Sequence, residues 1–400
     1  MTGAVDVLLT GGRVIDPASG TDQVADLALS GGVLTARGSG LAAPPDARVL
    51  DCHGLYVVPG LIDLHTHVFT ERMEGAIGAD IAGVTSGVTT VVDAGSAGPD
   101  TLERFLTHEY QRAATRILVF VNLARRGLQD PPEIRSAADV DVAGAIAAVG
   151  THREHLCGVK VRVVGAALAA LGPDLVRHAR TVAGAHGLPV MVHLGEPESV
   201  RCAEVAAEVL DLLGPGDIVT HAWSGHPGGL LSSPTALARA QAAQQRGVFL
   251  DLGHGVRNFS FRAAEELLAA GVVPDSVSTD MGKRPRRGPA YSLTETMSKL
   301  LLLGLPLSRV IAMATTGPAG ALSRPELGQL RVGGPVDVTL LREVTGHWRF
   351  RDSMGEERTG RRALEPVSVV RAGRVVAADW GPHPQGWMCP AGPPVTGRRD

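Results

Sequence analysis

Apolar residues cluster in short β-rich runs, and Ala- and Leu-rich stretches separate them. Eight such runs lie near 57–64, 88–93, 117–123, 159–164, 189–193, 217–221, 248–252 and 276–280. Several are nearly continuous Val, Ile and Leu, as strands buried on both faces are. Helical stretches between them cover 102–114, 143–149, 173–185, 199–213, 234–246 and 262–270. Repeated strand–helix units predict a parallel sheet, and eight of them favour a closed (β/α)8 barrel. An open doubly wound sheet is the alternative. The chain ends read differently. Residues 5–16 hold two apolar runs around Gly11-Gly12, which reads as a hairpin turn, and another hairpin follows at Ser30-Gly31-Gly32. Similar β patterns recur at 336–341 and 367–376. The expected organisation is a small β-sandwich domain from residues 1–56 plus 326–400, around a barrel at 57–325. Stretches 125–132, 223–229 and 282–289 follow strands and read as rim loops, where this fold builds its sites. The Pro- and Gly-rich tail after Trp380 reads as poorly ordered.

Candidate chemistry sits at the ends of these runs. His65-Thr66-His67 closes the first. Residues two apart on a strand point the same way, so both imidazoles can reach one metal ion. Lys160 lies inside the fourth run, and His193, His221 and Asp280 end the fifth, sixth and eighth. Taken singly, each has an ordinary explanation: a hydrogen-bonded core histidine, or a helix N-cap for Asp280. Five nitrogen and oxygen ligands without sulfur suit zinc, with manganese, cobalt or iron also possible. An open catalytic zinc usually keeps three protein ligands. The set therefore points to two divalent metal ions and something that bridges them. Lys160, flanked by Val159 and Val161, would be costly to bury as an unpaired cation. Desolvation would favour its neutral amine.

Composition narrows the field. With 400 residues, 44% hydrophobic and 20% charged, the chain reads as globular and able to bury a large core. A net charge of −3 and 4% aromatics give no footing for nucleic-acid binding. The cysteines, Cys52, Cys157, Cys202 and Cys389, have no CxxC spacing, so neither a disulfide framework nor a zinc knuckle is expected. No signal peptide or membrane span is legible, and a cytoplasmic protein is the expectation.

The order HxH, Lys, His, His, Asp, each on a strand-like run, resembles the amidohydrolase superfamily. Gly158-Val159-Lys160-Val161-Arg162, Asp251-Leu252-Gly253-His254-Gly255, Ser278-Thr279-Asp280-Met281 and Met297-Ser298-Lys299-Leu300-Leu301 resemble its deacetylase branch, related to dihydroorotases. The resemblance implies His65, His67, Lys160, His193, His221 and Asp280 as metal ligands, with Lys160 carboxylated and bridging two ions. It implies hydrolysis by metal-activated hydroxide, with Asp280 as general base and then acid. The expected reaction is deacetylation of a small N-acyl or O-acyl carboxylic acid. Cyclic amide hydrolysis of the dihydroorotase or hydantoinase type is the first alternative. A catalytically silent dihydropyrimidinase-like scaffold is the second, although such proteins typically lose ligands. His254 and Arg162 are candidate substrate contacts, Arg162 equally a partner for a carboxylate. Lys283, Arg284, Arg286 and Arg287 follow Asp280 and suggest an anion clamp, or merely a solvated basic loop. The expected partners are a small-molecule substrate and further copies of the chain, as homo-oligomers are common.

Overall fold

The apolar run at 56–64 is divided between two sheets, and Gly60 is the divide. A Cβ there would lie 2.2 Å from Thr89 Oγ1 and 2.8 Å from Asp337 Cβ. Only glycine lets the backbone pass so close. In this computed structural model, which describes residues 5–129, 131–197 and 200–382, the run becomes two strands. The N-terminal strands are β1 (Val7–Asp16), β2 (Thr21–Ser30), β3 (Val33–Gly38), β4 (Arg48–Asp51) and β5 (Tyr56–Pro59). The middle of the chain supplies β6 (Leu61–Thr66), β7 (Val88–Ala94), β8 (Arg116–Asn122), β9 (Leu156–Val163), β10 (Val190–Leu194), β11 (Ile218–Thr220) and β12 (Phe249–Leu250). Then follow β13 (Val338–Arg351), β14 (Glu357–Arg371) and β15 (Arg374–Ala377).

Both ends of the chain build one eight-stranded sheet, ordered β15-β14-β13-β5-β1-β2-β3, with β4 beside β1. The expected sandwich is thus one continuous sheet that branches at β1. Residues 7–10 of β1 pair with β4, and Arg13 and Val14 pair with β5. Gly11-Gly12 is not a turn. It is an irregularity inside β1, where the register shifts between Leu9 and Gly12. Gly11 takes φ 67° and donates its N–H to Asp26 Oδ1 at 2.8 Å. The turn comes later, at 17–20, whereas Gly31-Gly32 does join β2 to β3 as expected.

The second sheet has seven strands in the order β12 to β6, and every pair is parallel. Its two faces divide cleanly. Val159, Val161 and Val163 of β9 pack in one core with Leu175, Val176, Ala179 and Val182 of helix Asp174–Gly184. The other face carries a smaller core of Ile62, Leu64, Val92, Phe120, Met191 and Ile218. Alternation then places Lys160, Arg162 and His193 on that inner face, above its apolar floor. The eighth run, 276–280, lies outside the regular ladders. It bridges Asp251 to Ser276 on one side and Thr66 to Met281 on the other. Its hydroxyls are taken up by buried carboxylates: Ser276 and Ser278 by Asp251, Thr279 by Asp63.

Helices Gly165–Leu171, Leu293–Leu302, Leu307–Met313 and Thr316–Ala321 add to those expected. The stretch from 102 is a short helix, Leu102–Phe105, continued by a π-type turn, Leu106–Tyr110. The hairpin of β13 and β14 reaches from the first sheet to the second. At its tip Asp352 accepts the Phe261 N–H at 3.0 Å, and Ser353 N–H donates to Phe259 O at 2.9 Å. The tail after Trp380 falls mostly at 383–400, outside the described residues. Among the described residues no helix is long and apolar enough to cross a membrane.

Candidate metal centre

Six side chains from five separate strand ends meet in one cavity of about 550 Å³: His65, His67, Lys160, His193, His221 and Asp280. His65 Nε2 and His67 Nε2 lie 3.3 and 3.1 Å from Asp280 Oδ1. Candidate ligand atoms of these three all fall within 4.8 Å of one another. The His193 and His221 ring centroids are 4.2 Å apart, and His221 is 4.9 Å from His65. Two of the six have left-handed backbones, His221 with φ 65° and Asp280 with φ 51°. Non-glycine residues rarely adopt that region, and strain of this kind clusters at functional sites. At His221 it breaks strand alternation, so Thr220 and His221 both face inward.

Hydrogen bonds to backbone carbonyls assign the tautomers of His193 and His221. His221 Nδ1–H donates to Gly253 O at 2.6 Å, leaving Nε2 bare. His193 Nε2–H donates to Gly195 O at 3.2 Å, leaving Nδ1 bare. His65 and His67 use Nδ1 toward Thr220 Oγ1 and Ser96 Oγ, both at 2.9 Å. Their Nε2 atoms face Asp280. Burial holds His65 and His193 well below their usual pKa, and His221 at about 4. Neutral imidazoles with a free lone pair are metal ligands rather than cations.

Lys160 is the unusual group. Its Nζ is buried with no hydrogen-bond partner. Burial lowers its pKa from 10.5 to about 7. A buried amine with no partner is costly unless something else takes it up. Burial pushes the Asp280 carboxyl up, yet His67, His221 and Lys160 together hold it below its usual value. Asp280 therefore stands as an anion among these rings.

The rim is only partly as expected. Lys283 and Arg284 line the cavity mouth with Met73 and Glu74. Arg286 does not. It donates to Ile81 O and Ser86 Oγ and stacks 4.0 Å over Trp380. Arg287 does not line the cavity either. Arg162 lines the cavity and pairs with Glu133 at 3.0 Å. His254 is a correction. It is fully buried away from the cavity, so it cannot touch substrate there. Its Nδ1–H donates to Gly255 O, and its Nε2 accepts from Lys299 Nζ at 2.7 Å. Lys299 also meets buried Glu295 at 3.0 Å. The neighbouring Gly255 is what approaches the site: a Cβ there would lie 2.5 Å from Asp280 Oδ2. Sequence reasoning missed the outer residues Thr220, Asp251, Ser96 and Asp93. Their only signal was position, on or beside the same strand ends as the histidines.

This fold and this site define a metal-dependent hydrolase. The amidohydrolase family model matches residues 56–376. A deacetylase from Agrobacterium fabrum is 33% identical over 378 residues, covering 93% of this chain and 92% of that one. The crystal structure of a dihydroorotase superposes with TM-score 0.86 at 32% identity, covering 93% of this chain and 98% of that one. That of an adenine deaminase gives 0.83 at 26% identity, covering 93% and 100%. The chain belongs to the amidohydrolase family, and it is a hydrolase acting on carbon–nitrogen bonds.

Proposed function

We propose that this chain is a dinuclear deacetylase that cleaves the amide or ester bond of a small N-acyl or O-acyl carboxylic acid. The observation that carries it is Lys160: a buried amine without a partner, sharing its cavity with four imidazoles and a carboxylate. A carbamate at Lys160 would offer two oxygens, one to each of two ions. His65, His67 and Asp280 would hold the first ion, and His193 and His221 the second. Divalent metal bound there supplies Lewis acidity toward water and toward the scissile carbonyl. The chain does the rest. Asp280 takes the proton of the attacking water and passes it to the leaving nitrogen or oxygen. Lys283 and Arg284, at the mouth, hold the substrate carboxylate, and Arg162 braced by Glu133 is a further contact. In the same reading the bridges at Ser276 and Met281 close the parallel sheet into a (β/α)8 barrel at 57–325, with residues 1–56 and 326–400 as the second domain.

Elemental analysis of purified protein should find close to two divalent metals per chain, and a crystal structure should show density for a carboxylated Lys160. An active preparation without bound metal would sink the reading. A panel of N-acetyl amino acids, O-acetyl hydroxy acids, dihydroorotate and hydantoins then fixes the substrate class. The likeness to a dihydroorotase supports cyclic amide hydrolysis as the second reading, and turnover of the ring compounds alone would establish it. For an acyclic acid, Lys283→Ala with Arg284→Ala should raise KM about 10–100-fold, the worth of losing charged hydrogen bonds. If the matching neutral amide is cleaved as well as the acid by the unaltered protein, the basic rim is no anion clamp.

A further inference from the structure

His193 and His221 give their ring protons to backbone carbonyls, but His65 and His67 meet a hydroxyl instead. A hydroxyl alone fixes nothing, because it can donate or accept. Here the Thr220 hydroxyl is backed by a buried carboxylate. Thr220 Oγ1 donates to Asp251 Oδ2 at 2.7 Å, and Asp251 also takes hydroxyls from Ser276 at 2.8 Å and Ser278 at 2.7 Å. Thr220 has one hydroxyl proton, and Asp251 receives it. Toward His65 its oxygen can only accept. The His65 proton is thereby confined to Nδ1, and Nε2 is left bare toward Asp280. Ser96 is held beside Asp93 by its backbone N–H, which donates to Asp93 Oδ1 at 2.8 Å, and Val68 N–H holds the other oxygen at 2.9 Å. Asp251, Thr220, Asp93 and Ser96 are all buried.

We propose that Thr220, backed by Asp251, is a positioning residue that holds the His65 imidazole in its metal-binding tautomer. The metal half of this proposal rests on the reading of the centre given above; the tautomer half does not. The polarity of this run of hydrogen bonds is what matters. Replacing Asp251 with Asn puts an amide donor against Thr220, frees the threonine proton to point at His65, and favours the opposite tautomer.

The test is zinc affinity of the full chain, by competition with a chelating dye, beside nitrogen-15 histidine spectra of the metal-free protein. Thr220→Val keeps the branched shape and removes the hydroxyl. It should weaken zinc binding about 10–100-fold, as loss of an outer partner to a ligand histidine does. Thr220→Ser should restore affinity, and Asp251→Asn should move the His65 proton to Nε2. If Thr220→Val binds zinc like the unaltered protein and the His65 shifts do not change, the proposal is overturned. Should Thr220→Val fail to fold, the Asp251→Asn spectra put the same question to His65. Should the unaltered protein bind no zinc, the functional reading fails, and the His65 shifts still decide the relay.

Discussion

Replacing Asp280 with Asn should lower kcat by about 10²–10⁴-fold, the usual worth of a positioned proton acceptor. The variant isolates that role for two reasons. Asn keeps an oxygen near His65 and His67, where Asp280 Oδ1 now sits at 3.3 and 3.1 Å. Asn also tolerates the left-handed backbone at this position, φ 51°, which most side chains resist. Metal content should therefore change far less than turnover. Steady-state kinetics paired with elemental analysis of the same preparation separates the two. Near-normal turnover in a metal-replete variant would place the proton acceptor elsewhere.

Lys160→Met should stabilise the metal-free protein while crippling the metal-bound one. Methionine keeps an unbranched side chain of similar length and has no charge to bury. In the absence of metal the folded chain holds Lys160 at a pKa of about 7, against 10.5 when unfolded. Below about pH 7 the lysine is protonated in both states, and the whole burial cost opposes folding. Between about 7 and 10.5 the unfolded chain binds more protons, so stability rises with pH. Above 10.5 the cost is gone. The full span corresponds to roughly 5 kcal/mol. Denaturant titrations of chelator-treated protein at neutral and alkaline pH, with bicarbonate excluded, should show the variant more stable near pH 7 and the gap closing as pH rises. Curves that stay parallel would mean that Lys160 is not a buried cation in the metal-free fold.

The sequence could place the centre because its candidate ligands occupy strand ends, where a period of two and an apolar floor leave little freedom. His65, His67, Lys160 and His193 could be read that way. His221 and Asp280 could be named but not aimed, because their orientation depends on left-handed backbones that no local pattern announces. His254 misled for a related reason. Its flanking glycines do signal a close approach, but the approach is made by Gly255 backbone, while the imidazole turns to a lysine on a distant helix. Arg286 fails in the same manner: Lys283 and Arg284 line the cavity, and it faces Trp380. Gly11-Gly12 has the composition of a turn, and only the acceptor at Asp26 makes it an irregularity in an unbroken strand. In each case what sequence could not supply was a partner far away along the chain.

The position of β5 has a consequence for the nascent chain. This strand pairs on one side with β1 and on the other with β13. Its second neighbour begins at Val338, so nearly the whole second sheet is synthesised in between. At about 5–20 residues per second, that is a delay on the order of tens of seconds on the ribosome. Throughout it, Val57 and Val58 lie along an unpaired strand edge, the kind of surface that recruits other chains. Ribosomes stalled before the final quarter of the message would release chains that carry most of the proposed metal ligands and an open, adhesive edge.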